Sequence, residues 1–320
     1  MITVLMATRN GAQTLPRMLE RCCRLQHAPA GWRLVAIDNA STDETPAILR
    51  GYADRLPVTI LEQPRPGKNR SLNTGLDYLA RQPDGNELIV FTDDDTLPEA
   101  DWLQAWQRCA AAHPDHDVFA GRITPAWDTY PPAWLTRLVP LAVTYAVNHA
   151  RQREGPTPSS LVWGPNMAVR RTLFDAGHRF DEDVGPGPGN YRMGSETEFT
   201  GRMQRLGHGC WHCVAPSVGH IILPAQMDVA WLLNRAYRIG RGAAGQAASG
   251  AWVPFRQARE QLFCAPGQPM AESIQKQCEA ALCRQCGDFD GWLRASMRVE
   301  FLRGYFAERR HGAERAGWHR

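Results

Sequence analysis

No stretch of this 320-residue chain is long and apolar enough to read as a membrane span. The best candidate, residues 138–147, is far too short and is broken by Pro140. Charge of one sign is not in excess either. The 36 Lys and Arg against 33 Asp and Glu leave a formal net charge of +3, too little to argue for nucleic acid as a partner. A basic leader with a cleavage site is missing, and residues 2–7 read as a strand instead. That predicts no secretory signal and a cytoplasmic protein. The nine cysteines form no regular framework, so free thiols in a reducing compartment are expected. Two CxxC pairs, Cys210/Cys213 and Cys283/Cys286, have spacing that suits one zinc ion but lie far apart. The first falls in a predicted strand, which turns its two side chains to opposite faces, so buried thiols are expected rather than zinc. There is no internal repeat. The length predicts one large domain with an appendage, or two domains, and the composition is that of an ordinary globular protein.

What is present centres on Leu88-Ile89-Val90-Phe91-Thr92-Asp93-Asp94-Asp95. The apolar run has the length of a buried strand and is too short for a helix. Three adjacent aspartates at its end repel one another and raise each other's pKa unless a cation sits among them. Such hard oxygen ligands suit Mg²⁺ or Mn²⁺ shared with the phosphates of a nucleotide. The plainer reading is a solvated acidic turn, with Asp95 or Thr96 capping a helix over residues 99–113.

Along the chain, strands are predicted at residues 2–8, 34–37, 58–61, 88–92 and 118–123. Helices are predicted at about 15–25, from a cap at Ser41-Thr42-Asp43-Glu44 to about 53, and at 71–80 and 99–113. This alternation predicts an α/β fold with a parallel sheet covered on both faces, and ligands beyond the carboxyl ends of its strands. Thr8, Asp38 and the Asp93–Asp95 cluster fall there. Residues 124–158 lose the pattern in Pro- and Trp-rich punctuation with one helical stretch, and a second Gly/Pro loop spans 186–191. Loops of this kind above a rigid sheet fit substrate lids, while about half of the tryptophans are expected to be core. Gly194-Ser195-Glu196-Thr197-Glu198 opens a helix to about residue 206, and Ser195 with Glu198 is a candidate capping box. Short strands follow at 210–214 and 218–220. Beyond them come helices at 229–239, 271–285 and 289–310, with a Gly/Ala-rich stretch at 240–250.

Thr8-Arg9-Asn10, Asp38-Asn39-Ala40-Ser41-Thr42-Asp43, Gly67-Lys68-Asn69-Arg70 and Asp93-Asp94-Asp95 occur in that order. With Gly164-Pro165-Asn166-Met167, Glu196-Thr197-Glu198 and His220, the succession resembles a family-2 glycosyltransferase of the GT-A fold over about residues 1–240. The resemblance implies a Rossmann-like, mostly parallel mixed sheet flanked by helices, with a helical C-terminal extension. It divides the chain into a glycosyltransferase domain over 1–225, with a nucleotide-binding half at 1–123 and an acceptor and catalytic half at 124–225. A helical region over 226–320 completes it. It implies inverting transfer of a sugar from a nucleotide donor, UDP favoured, to an acceptor hydroxyl, with Mg²⁺ or Mn²⁺ bound. Surface polysaccharide or lipid-linked glycan synthesis is the broad setting it suggests.

By that resemblance, Thr8, Arg9, Asn10, Asp38, Lys68, Arg70, Asp93 and Asp94 face the nucleotide and donor. Asp95 and His220 hold the metal. Asp38 can accept the N–H of a uracil-like ring, and Lys68 or Arg70 can offset phosphate charge. Inversion needs one base for the acceptor hydroxyl, and Glu196 aligns with it, with Glu198 or Asp183 next. Ser195 stands where the family has a carboxylate. Trp163, Asn166, Glu198 and Trp127 are candidates for the sugar or acceptor subsite, as is Trp134. The arginines Arg294, Arg298, Arg303, Arg309 and Arg310 lie among apolar residues. They fit peripheral contact with an anionic membrane, a dimer face, or a solvated helix.

Three other readings compete. A sugar nucleotidyltransferase wants a glycine-rich loop after the first strand, and Asn10-Gly11-Ala12 is too poor in glycine. A non-catalytic nucleotide- or glycan-binding homologue is compatible with Ser195-Glu196. A retaining transferase on the same architecture is set aside only by the resemblance.

Overall fold

The computed structural model describes residues 1–26, 31–82, 88–148, 152–189, 191–248, 262–263 and 269–315. The first half alternates as expected: β1 (Ile2–Thr8), α1 (Leu15–Cys22), β2 (Trp32–Asp38), α2 (Thr45–Gly51), β3 (Val58–Glu62), α3 (Lys68–Ala80) and β4 (Leu88–Thr92). Then come β5 (Thr96–Pro98), α4 (Trp102–Ala112), β6 (Val118–Trp127), α5 (Ala133–Leu138), α6 (Leu141–Tyr145) and β7 (Gly155–Pro156). The chain continues through β8 (Met167–Arg170), α7 (Arg171–Asp175), α8 (Ser195–Arg205) and β9 (Cys210–Ile222). It closes with α9 (Val229–Ala248), α10 (Pro269–Gln285) and α11 (Phe289–Arg315).

The strands form one mixed sheet in the order β3-β2-β1-β4-β8-β6-β9-β5, with β7 on β9. β1 to β4 are mutually parallel, while β8 runs antiparallel to both β4 and β6. Successive side chains of a strand face opposite ways, which explains two separate cores. Val4, Met6, Leu34 and Val90 pack on one face with Met18, Trp102 and Trp106. Leu5, Val35, Ile89 and Phe91 pack on the other with Leu72, Leu76, Phe199 and Met203. All five residues of β4 are buried, as its unbroken apolar run requires. The register pairs Thr8 with Asp38 and Met6 with Thr92. One rim of the sheet therefore carries the carboxyl ends of β1, β2 and β4.

Several local expectations change. The helix expected from residue 99 begins at Trp102, because Thr96–Pro98 pairs with β9 as an extra strand. Asp95 and Thr96 do not cap it. Thr96 Oγ1 instead donates to the Asp93 carbonyl at 2.9 Å. The two short strands expected near 210 and 218 are one strand, β9. The chain after Pro165 forms β8, which the motif reading did not identify as a strand. Cys210 and Cys213 lie in opposite cores, as strand geometry predicts. The expectation of free thiols fails at Cys213, which is joined to Cys109 of α4. The two residues stand 104 positions apart, a pairing that spacing does not reveal.

His212 of β9 is 2% exposed, and burial lowers its pKa to about 4. An unfolded chain takes up that proton near pH 6.5, so the unfolded state binds more protons between the two values and stability falls with falling pH. We expect His212→Gln to flatten the loss of stability between about pH 7 and about pH 5, read from urea midpoints.

The chain divides into two compact units. The first comprises Met1–Ala126, Tyr145–Pro188 and Ser195–Ile221, and the second Trp127–Thr144, Gly189–Gly194 and Ile222–Arg320. In the second, α9 continues through the Gly/Ala-rich segment expected to interrupt it. The reason is contact with α11. A Cβ on Gly240 would lie 1.9 Å from the Phe301 carbonyl oxygen, and one on Gly304 1.9 Å from that of Tyr237. Alanine improves an ordinary helix position, but here it meets backbone that cannot yield. Gly304→Ala is expected to cost about 1–3 kcal/mol, seen as a lower urea midpoint. Arg298, expected on a basic outer face, is 3% exposed and donates to Glu272 at 2.7 Å. Among the described residues no helix is long and apolar enough to cross a membrane.

Candidate functional site

The carboxyl-end rim of the first unit gathers residues from six separate stretches of sequence. Lys68, in the first turn of α3, places Nζ 2.8 Å from Asp93 Oδ1 and 2.8 Å from Glu196 Oε1. Glu196 sits in the first turn of α8, where the helix dipole favours an anion. Room for its carboxylate comes from Gly164, since a Cβ there would lie 2.1 Å from Glu196 Oε1. Asp94 accepts a short hydrogen bond from Thr8 Oγ1 at the end of β1. Asp95 Oδ2 lies 3.1 Å from His220 Nε2 on β9, while His220 Nδ1 donates to the Tyr145 carbonyl at 2.6 Å. That second bond fixes which ring nitrogen faces Asp95. Asp38 is buried at the end of β2, beside Thr8, and its Oδ1 accepts the Ser41 amide at 3.4 Å.

The charges are strongly coupled. Burial works against charge on Lys68, but the Asp93 and Glu196 carboxylates outweigh it and hold the amine protonated above its ordinary range. Burial raises the Asp93 pKa; Lys68 opposes this, while Asp95 and Glu196 add to the rise. Burial, with Asp95 nearby, pushes Asp94 up to about 7 despite the Thr8 hydrogen bond. Burial also works against the Asp95 anion, yet His220 outweighs it and holds Asp95 below the usual carboxylate range. Desolvation opposes the His220 cation in turn, and Asp95 raises its pKa.

A divalent cation fits these residues. Asp95 Oδ1 is buried with no hydrogen-bond partner among the described residues, and an orphaned acceptor of that kind is costly unless something positive meets it. The donor set around it is carboxylate oxygen and imidazole nitrogen, suited to Mn²⁺ or Mg²⁺.

Not every expected residue joins this group. Arg70 pairs with Glu182 at 2.8 Å, so Lys68 is the cation at the carboxylates. Asn10, at φ 54°, closes the loop after β1, where its Oδ1 accepts the Thr42 amide at 2.8 Å. Arg9 is exposed beside it. Glu198 is held by Arg202 through two contacts of 2.9 and 3.2 Å. The capping box expected there does not form, since Ser195 Oγ is buried without a partner among the described residues. Asn166 is fully buried: it donates to the Arg122 and Pro216 carbonyls and accepts from Trp102, which leaves its amide no group for a sugar. Trp163 is half-buried against the core, with its Nε1 enclosed and without a partner among the described residues. Trp127 lies in the second unit, lining a pocket with Asp128, Tyr130 and Pro131. Sequence reasoning missed the Lys68–Glu196 pair. Its members lie 128 positions apart and no local pattern links them.

Comparison with known proteins adds three findings. The model of "Glycosyl transferase family 2" matches residues 3–177. Among solved structures, a mannosyltransferase from Pyrobaculum calidifontis in complex with GDP-Man and Mn²⁺ aligns at a TM-score of 0.61 and 19% identity, over 96% of this chain and 86% of that one. S. aureus TarS 1–349 in complex with UDP aligns at 0.52 and 14% identity, over 97% of this chain and 91% of that one. No curated protein matches the sequence.

Proposed function

The chain belongs to glycosyl transferase family 2, and from that membership we propose an inverting enzyme that moves a sugar from a UDP donor to an acceptor hydroxyl. That it is a glycosyltransferase working from a nucleotide sugar follows from the family and its fold. Inversion, the uridine base, metal dependence and the residue roles are our reading. The observation that carries it is the meeting of Asp93, Asp95, Lys68, Glu196 and His220 at one rim, with Asp95 Oδ1 left unpaired among the described residues.

Asp38 would accept the ring N–H of the base beside Thr8, and Asp93 would face the ribose or donor sugar. Asp95 and His220 would hold Mg²⁺ or Mn²⁺, whose chemistry there is neutralising charge on the departing diphosphate. Glu196 takes the acceptor proton. Its helix N-terminus and the Lys68 ammonium both keep it ionised, as a base at neutral pH must be. Lys68 also fixes its position. The nucleotide half is assigned to 1–123 and the acceptor and catalytic half to 124–225, followed by the helical region from 226.

A surface polysaccharide or lipid-linked glycan is the acceptor class this reading favours. The bound Mn²⁺ and GDP-Man of the mannosyltransferase support the metal and the donor class, and the UDP of TarS supports the base. Peripheral contact with an anionic membrane belongs to the same reading. α10 supports it with Met270, Ile274 and Leu282 exposed; failure to float with anionic liposomes at low salt would remove it. The main test is thermal shift against a panel of nucleotide sugars with and without Mn²⁺, followed by the anomeric configuration of the product. Stabilisation by a UDP-sugar only with metal, and an inverted product, are the expected results. Donor binding with neither hydrolysis nor transfer to any hydroxyl acceptor would favour the non-catalytic reading.

A further inference from the structure

Away from the carboxylate rim, a second cluster lies within the first unit. Cys109 lies in the last turn of α4 and His113 is the residue that ends the helix, its amide donating to the Cys109 carbonyl at 3.2 Å. Ligand atoms of Cys109, His113 and Glu154 all lie within 4.8 Å of one another. Cys213 of β9 brings a fourth donor, since its sulfur is bonded to that of Cys109.

The surroundings hold these donors in place. The His113 ring stacks on Trp211 at 3.8 Å between centroids. Glu154 Oε1 accepts the Trp211 indole N–H at 3.1 Å, and its Oε2 accepts the Val214 amide at 2.7 Å. His113 Nε2 stands 3.9 Å from Glu154 Oε1. Neighbouring ligands around tetrahedral zinc sit about 3.3–3.8 Å apart, which follows from metal–ligand bonds of roughly 2.0–2.3 Å, so this pair need close by only a few tenths of an ångström. Two thiolates, an imidazole and a carboxylate are a soft, four-donor set that suits zinc rather than magnesium. The hydrogen bonds to Glu154 from Trp211 and Val214 are the outer partners that orient a metal ligand.

We infer that Cys109, His113, Glu154 and Cys213 form a zinc site whenever the cysteine pair is reduced. The cluster then has two closed forms, a disulfide and a zinc dithiolate. The conversion balances. Two small thiols, RSH, reduce the Cys109–Cys213 bond to two protein thiols and leave as RSSR; Zn²⁺ then displaces two protons as the thiolates bind it. Either form ties α4 to β9, so the fold keeps its cross-link in both oxidising and reducing surroundings.

The test uses the full chain, reduced anaerobically with excess small thiol. Alkylation and mass spectrometry establish that Cys109 and Cys213 are free, and the protein is then titrated with Co²⁺ and with Zn²⁺. We expect one equivalent bound, with the sulfur-to-cobalt charge-transfer absorption of a tetrahedral thiolate site, bleached by one equivalent of Zn²⁺. Cys213→Ser and His113→Ala should each weaken binding at least tenfold. His113→Ala retains both cysteines, so it tests the site even where the serine variant folds poorly. The oxidised protein should show no such absorption. The inference is overturned by a reduced pair that takes no Co²⁺, by binding that survives both substitutions, or by a disulfide that small thiols leave intact.

Discussion

Glu196→Gln is expected to lower transfer by about 10²–10⁴-fold, the usual contribution of a positioned general base. Donor affinity should stay within about threefold, because the substitution removes a charge while keeping size and hydrogen-bonding reach. Glutamine cannot take a proton from the acceptor, yet it still accepts from Lys68. The ammonium retains Asp93 at 2.8 Å as its counter-ion, so the rim does not lose its charge balance altogether. Initial rates of sugar transfer alongside donor titrations separate the two effects. Near-normal turnover would move the base elsewhere. Glu198 is then a weak successor, since Arg202 occupies both of its oxygens, and exposed Asp183 would be the next to test.

The second large effect is expected at Asp95. Replacing it with asparagine should reduce kcat/KM by roughly 10³-fold, equivalent to about 4 kcal/mol. It should also abolish the gain in donor affinity that Mn²⁺ brings. An amide is a far poorer partner for a hard cation, and Asp95 is the carboxylate whose second oxygen has no protein partner among the described residues. His220 loses its ionic partner in the same change, so the imidazole is expected to become neutral while its bond to the Tyr145 carbonyl keeps the ring in place. Calorimetric titration with donor, with and without Mn²⁺, reads the first part. NMR titration of the His220 ring reads the second, as a lower pKa. If donor binding responds to Mn²⁺ as strongly as before, Asp95 is not the metal ligand.

The parallel half of the sheet was legible because short unbroken apolar runs between turn residues leave local marks. Residues 88–92 announce a strand buried on both faces, and the aspartates after it announce the rim. The order of short motifs carried the family. Other features had no such mark. β8 is only four residues long and sits between β4 and β6 by long-range pairing. The Gly/Ala-rich segment after Ile239 looks like a helix breaker until Gly304 of α11 is seen against it. Asn166 looked like a ligand residue because of its motif, but its amide joins three separate stretches of the core. At Arg70 and Arg298, sequence shows the charge and not the acid, Glu182 or Glu272, that occupies it.

The ammonium between Asp93 and Glu196 also makes the rim chemically addressable. Lys68 and Lys276 are the chain's only lysines. An acylating reagent needs the free amine, which Lys68 surrenders only at unusually high pH, whereas Lys276 lies on α10 and pairs with Glu279. Brief acetylation should therefore mark Lys276 and leave Lys68 unmodified, and Glu196→Gln should speed labelling at Lys68. One peptide in a mass spectrum would then report whether the carboxylate clasp is closed.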